Sequence, residues 1–153
     1  MRSEATTLGA MKATVVYESL TGNTALAGQI IARELTAAGI ETVACPITEV
    51  NLQSLSESDL VVVGSWTDGL FFFGQKPGRG ARLATLPVID GKQAAVYCTY
   101  AINAGKTLTK LSRIVGLRGG DVIGGFAIKR SRIEEDASEF VDRLLAQVDT
   151  ASA

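Results

Sequence analysis

The stretch Ser19-Leu20-Thr21-Gly22-Asn23-Thr24 gathers three hydroxyls, a carboxamide and a glycine within six residues, and contains no Lys or Arg. Just upstream, Lys12–Tyr17 is rich in β-branched residues and predicts a strand. Downstream, Leu26, Ile30, Ile31, Leu35 and Ala38 recur at helical spacing, which predicts a helix over about 24–38, stopped by Gly39. The first turn of such a helix offers unpaired backbone N–H groups and a partial positive charge. Neutral donors on that background can wrap a terminal phosphate without a counter-charge. Gly22 lets the backbone close tightly around the oxygens. The simpler use of these residues is N-capping by Thr21 or Asn23. Capping takes one such residue, and five polar or glycine positions in six exceed that need.

Other chemistries drop out. The chain has no histidine, which excludes a Ser-His-Asp triad, a Cys-His dyad and a His-ligated metal. Cys45 and Cys98 make neither a zinc set nor a CxxC pair. Cys98 reads as a buried, inert thiol. Gly105-Lys106-Thr107 follows a predicted strand and opens a predicted helix, as in a P-loop, but the first glycine of that pattern falls on Tyr100. Gly78-Arg79-Gly80 lies in a loop rather than after a strand, so it is no dinucleotide fingerprint. No apolar run approaches the ~18 residues of a membrane helix. Residues 1–10 lack the apolar core of a secretory signal, so the expected location is cytoplasmic.

The elements that must position the loop follow from periodicity. The 153 residues are 46% hydrophobic and 20% charged, which suits one globular domain. Strands are expected at about 12–17, 41–46, 60–65, 92–99 and 121–128. Leu60-Val61-Val62-Val63 is a continuous apolar run, as in a parallel strand covered on both faces. Helices are expected at 24–38, at 105–115 closed by Gly116, and at 133–147, with short ones near 51–56 and 80–85. Residues 67–80 read as a long glycine-rich loop. Alternating strands and helices predict an α/β fold, a three-layer doubly wound sandwich whose five-stranded parallel sheet has the order 2-1-3-4-5. Strands two and four are then about 14 Å apart, which keeps Cys45 and Cys98 from forming a disulfide. The domain is expected over 11–148, with a flexible tail at 1–10 and a frayed end at 149–153.

With strand before and helix after, Tyr17-Glu18-Ser19-Leu20-Thr21-Gly22-Asn23-Thr24 resembles the flavin mononucleotide (FMN) phosphate loop of flavodoxins, S/T-x-T-G-N-T. The resemblance extends over the whole predicted domain and fits the flavodoxin-like strand order. It implies a bound FMN, with its phosphate on Ser19, Leu20, Thr21, Gly22, Asn23 and Thr24. It also implies a ring site made by the loops after the third and fourth strands. Here those loops are Ser65-Trp66-Thr67-Asp68-Gly69 and Thr99-Tyr100-Ala101-Ile102-Asn103, all but Ile102 expected at the ring. Trp66 and Tyr100 are the aromatics placed to contact it. In the family a glycine peptide near the ring reorients when the flavin gains an electron, a part that falls to Asp68-Gly69. Two features depart from the family. The loop at 98–105 has no acid, which implies a less negative potential. The segment Leu70-Phe71-Phe72-Phe73-Gly74-Gln75-Lys76-Pro77-Gly78-Arg79-Gly80 suggests a lid, an apolar docking rim, or packing of the next helix.

Charge is unevenly spread. Residues 1–70 carry eight acids and three bases, 71–133 two acids and eleven bases, and 134–153 six acids and one base. The basic middle suits an acidic partner or a phosphorylated ligand, or is simply solvated surface. Nucleic acid is not expected, because interleaved aromatics are missing. Three functions remain: an FMN electron carrier between redox protein partners, a small NAD(P)H-dependent reductase using the same flavin, and a flavin-free signalling domain. A monomer or weak dimer is expected, without nucleic acid or membrane.

Overall fold

The computed structural model describes residues 11–70 and 73–152, without the side chains of residues 70, 73 and 149–152. The tail reading for residues 1–10 and the role of the three phenylalanines lie outside the described residues. Strand β1 (Lys12–Tyr17) leads into helix α1 (Asn23–Ala37), β2 (Glu41–Pro46), the short helix α2 (Leu52–Glu57) and β3 (Leu60–Leu70). Then follow β4 (Phe73–Pro77), the one-turn helix α3 (Gly80–Leu83), β5 (Gln93–Tyr100), α4 (Thr107–Leu117), β6 (Asp121–Lys129) and α5 (Ile133–Ser152).

The parallel strands order as β2-β1-β3-β5-β6, the expected doubly wound arrangement with an added hairpin strand. That addition is a correction. The predicted loop at 67–80 is largely strand, because β3 runs on past Ser65 and β4 folds back on it antiparallel. Thr67 pairs with Pro77 and Asp68 with Lys76, and the register slips between Asp68 and Leu70. Glycine-rich composition hid this ribbon, since Gly69 serves as a bulge and Gly74 as part of its return.

Period-two alternation splits the core into two layers. Leu60 and Val62 of β3 join Val15, Tyr97 and the inner faces of α1 and α5, including Ile31, Leu35 and Phe140. Val61 and Val63 face the other way, onto Leu83, Leu111 and Val115 of α3 and α4. Each fully buried aliphatic contributes about 1.5–3 kcal/mol of transfer free energy, so a strand apolar on both faces holds both layers.

One packing detail positions the first helix. A Cβ on Gly64 would fall inside the Tyr97 ring, so only glycine lets that ring lie across β3. The Tyr97 hydroxyl then donates to the Thr24 carbonyl at 2.9 Å, and Gly28 leaves room for it one turn later. Burial pushes the Tyr97 pKa well above its ordinary value, so it stays a neutral donor.

Two helix ends differ from expectation. Helix α4 passes through Gly116 and stops after Leu117, and the left-handed residue beyond it is Gly119 at φ 95°. Helix α5 continues beyond 147 to Ser152. The cysteines are free, as their three-strand separation requires, with Cys98 buried. Among the described residues no helix is long and apolar enough to cross a membrane.

Candidate functional site

The carboxyl ends of β1, β3, β5 and β6 meet at one edge of the sheet. There the β1–α1 loop turns at Gly22, whose φ of 100° and ψ of −14° are costly for a residue with a side chain. A Cβ on Gly22 would meet nothing within 4 Å, so the space above the turn is open. The N-cap residue, Gly22, makes no side-chain cap bond to α1. Neither Thr21 nor Asn23 plays the capping role open to it, because Gly22 occupies the N-cap position itself. The Ser19 hydroxyl instead accepts from the Gly22 and Ala25 amides, each at 3.2 Å. Asn23 Nδ2 donates to Thr21 Oγ1 at 3.4 Å. No acidic residue stands in the first turn to compete for the helix N-terminus.

Thr24 is different from its neighbours. It is buried, and its hydroxyl pairs with that of Thr99 at 2.9 Å. Together with the Tyr97 bond this ties the first turn of α1 to β5 from below. Thr24 and Thr99 therefore support the turn, while Leu20, Thr21 and Gly22 form its exposed surface.

The other two loops enclose a cavity of about 280 Å³. Thr67, Gly69 and Gln75 of the β3–β4 hairpin line one side, and Ala101, Ile102, Asn103 and Arg130 line the other. Gly69 sits at φ 128°, and a Cβ there would press on the Gly74 carbonyl oxygen at 2.5 Å. Thr67 Oγ1 is buried without a well-formed hydrogen bond, its weak neighbour being the Cys98 thiol. A buried hydroxyl left unsatisfied beside a polar cavity is suited to a ligand. Gly105 brings the β5–α4 loop against Gln75, and Asn103 Oδ1 accepts from the Gly105 amide at 2.8 Å. Burial pushes the Cys98 thiol up to about 11, with Thr67 pulling slightly the other way. That thiol is protonated and unreactive near neutrality.

Ser65, Trp66, Asp68 and Tyr100, also selected from the sequence, are not among the residues lining this cavity. Ser65 is fully buried and donates to the Gly78 carbonyl at 2.8 Å, fastening the two ends of the hairpin. Trp66 is half-buried. Its indole lies against Gly78, where no Cβ would fit, and the Arg79 guanidinium sits 5.5 Å from its ring centre. Tyr100 is half-buried at the end of β5. Asp68 is exposed and borders a different groove, described below.

Sequence reasoning missed a cluster next to the β1–α1 loop. Glu18, with its side chain only 5% exposed, accepts from Arg79 at 3.2 Å and Arg82 at 2.9 Å. Arg79 is the one described non-glycine residue at positive φ, 50°. The ion pairs join the loop after β1 to the end of the hairpin. Such a pairing links residues more than sixty positions apart, and nothing in the local pattern signals it. Arg130 and Gln75 were likewise missed. Arg130 was visible only as part of a basic run, and Gln75 lay in what read as a loop.

Comparison with known proteins agrees with this architecture. A family model described as flavodoxin domain matches residues 14–113. Solved structures that are similar include a flavodoxin from the domain Archaea, 22% identical over 86% of this chain and 99% of that one, with a TM-score of 0.59. Two-electron reduced Megasphaera elsdenii flavodoxin is 21% identical over 83% and 98%, with a TM-score of 0.62. Oxidised Flavodoxin 1 from Bacillus cereus is 20% identical over 90% and 97%, with a TM-score of 0.66. No curated protein sequence matches the chain significantly. The doubly wound order, the glycine-turned loop behind α1 and the match over most of the domain lead to one assignment: the chain belongs to the flavodoxin domain family.

Proposed function

We propose that the chain binds FMN at the carboxyl edge of its sheet and carries electrons between protein partners. The observation that carries this reading is the pairing of two features on that edge. The N-cap of α1 is the open turn at Gly22, which has no capping side chain and, of the first-turn amides, leaves only that of Ala25 bonded, to Ser19, and the cavity between the hairpin and the β5–α4 loop stands on the same edge. FMN is the cofactor of this family, and the residues present fit it. Ser19 through Asn23 offer neutral donors to a phosphate, with Thr24 and Thr99 holding the turn in place. Thr67, Gly69, Ala101 and Asn103 offer the ring one orphaned hydroxyl, two exposed small residues and a carboxamide. Trp66 and Tyr100 do not line the cavity, and Ser65 and Asp68 hold the hairpin on which Gly69 sits. When bound, the flavin supplies the one- and two-electron chemistry, and the chain excludes water and sets the charge around it. Among the described residues Arg130 is the one charged residue lining the cavity, which favours electron gain there.

The test is to purify the protein, record its visible spectrum, identify any released cofactor by mass, and then mix the loaded protein with NADPH. The account expects a yellow protein with stoichiometric FMN and slow reaction with NADPH alone. Sustained turnover of NADPH would favour a small reductase instead. A colourless protein that takes up no added FMN would overturn the flavin reading.

A further inference from the structure

Strand alternation gives the β3–β4 hairpin two faces with different neighbours. Thr67, Gly69 and Gln75 line the cavity, whereas Asp68 and Lys76 face a second, open groove of about 690 Å³. Lys76, Arg79, Lys110 and Arg113 surround that groove, with Ile114 and Pro77 as apolar floor and Asp68 as the one acid. The concentration of cations is local, since the chain as a whole has a net charge of −1.

Of these four, Arg79 is held by Glu18 at 3.2 Å and lies over the Trp66 ring. Several of the other bases of the middle segment are committed to the structure: Lys92 donates to the Ser56 and Ser58 carbonyls, Arg118 to the Leu86 carbonyl, Arg82 to Glu18 and Arg132 to Asp136. Lys76 and Arg113 are exposed and have no partner among the described residues. Lys110 makes one bond, to the Gln75 carbonyl at 3.0 Å. Among the described residues the groove has no aromatic ring in its lining and no polar side chain buried within it. A small nucleotide would therefore find charge there but little to fix its base or ribose. The exposed cations Lys76 and Arg113, set beside Arg79 and Lys110 over an apolar floor, instead match an acidic protein surface, which such charges steer and orient.

We propose that this groove docks a carboxylate-rich surface of the electron-transfer partner, against the back of the hairpin whose front lines the cavity. The redox part of that assignment rests on the flavin reading, and the docking part does not. To test it, the full 15N-labelled chain is titrated at low salt with a ten-residue all-glutamate peptide and, separately, with NADP+. The expected result is amide shifts confined to residues 76–81 and 110–114. The double variant Lys76→Glu/Arg113→Glu should keep a dispersed spectrum and bind the peptide at least about tenfold more weakly. Arg33→Glu, in the opposite helix layer, should bind as the parent does. Shifts spread elsewhere, or an affinity indifferent to the double variant, would overturn the proposal. So would NADP+ occupying the groove at lower concentration than the peptide. The readout needs no flavin, so a failure of FMN binding shows separately, in the visible spectrum.

Discussion

At the carboxyl edge of the sheet, the first turn of α1 is held from beneath by neutral hydroxyls, whereas the β3–β4 hairpin adds ion pairs to its one buried hydroxyl bond. Tyr97 and Thr99 of β5 fasten the first turn of α1 through bonds of 2.9 Å, buried from water. The hairpin is fastened by Ser65 to Gly78 and by Arg79 to both Glu18 and the Trp66 ring. The difference has a physical reason. A helix start that is to receive an anion gains from backbone donors that need no reorganisation. A ribbon projecting beyond the sheet lacks a core beneath it and takes its order from long side chains reaching across.

The largest test of the contrast lies under the helix. Gly64→Val drives a side chain into the Tyr97 ring, lifts the hydroxyl from Thr24 and should cost about 3 kcal/mol or more in urea unfolding. On the charged side, Glu18→Gln leaves Arg79 and Arg82 without their carboxylate. Because both guanidinium groups are nearly half exposed, solvent offsets much of the loss, and about 1–2 kcal/mol is expected, smaller in high salt. Thr24→Val should cost about 1–2 kcal/mol by stranding the buried Thr99 hydroxyl, and Thr24→Val/Thr99→Val should recover part of it, independently of salt. A salt response that is the same for Glu18→Gln and Thr24→Val would erase the distinction between the two regions. Arg130→Glu should leave stability nearly unchanged and shift the potential of the FMN-loaded protein more negative, by tens of millivolts on the order expected for one nearby charge.

A titration under the hairpin adds a test outside neutral pH. Burial holds the folded Cys98 thiol at about 11, above its ordinary value of 9.0. The unfolded chain therefore releases that proton first as pH rises. Stability from this group is complete below about pH 9 and is lost between there and about pH 11. Unfolding curves between pH 8 and 11, compared with Cys98→Ala, would reveal the extra slope in the parent alone.

Much of this architecture was legible because burial follows periodicity. Strand and helix patterning placed β1, β2, β5, α1 and the doubly wound order, since these elements bury regular faces. The glycine turn was legible as well, because Gly22 stands among neutral donors between a strand and a helix. The β3–β4 ribbon was not. Its strands hold Gly69 and Gly74 and end at Pro77, residues that ordinarily mark loops, and their pairing is decided by contacts along the sheet edge. Thr24 and Thr99 were selected as ligand residues by their hydroxyls, yet a hydroxyl's direction depends on which helix face the turn presents. The Glu18 cluster and the position of Arg130 depend on distant elements meeting, which a local pattern does not contain.

The central claim is that a phosphate sits on the start of α1, and the difference between FMN and riboflavin tests it most directly. Both flavins carry the same ring, so a fluorescence-quenching titration of the flavin-free protein with each isolates the phosphate. The account predicts that FMN binds and that riboflavin binds at least about tenfold more weakly, the worth of one charge-assisted hydrogen bond. Equal affinity for the two, or binding of neither, would contradict it.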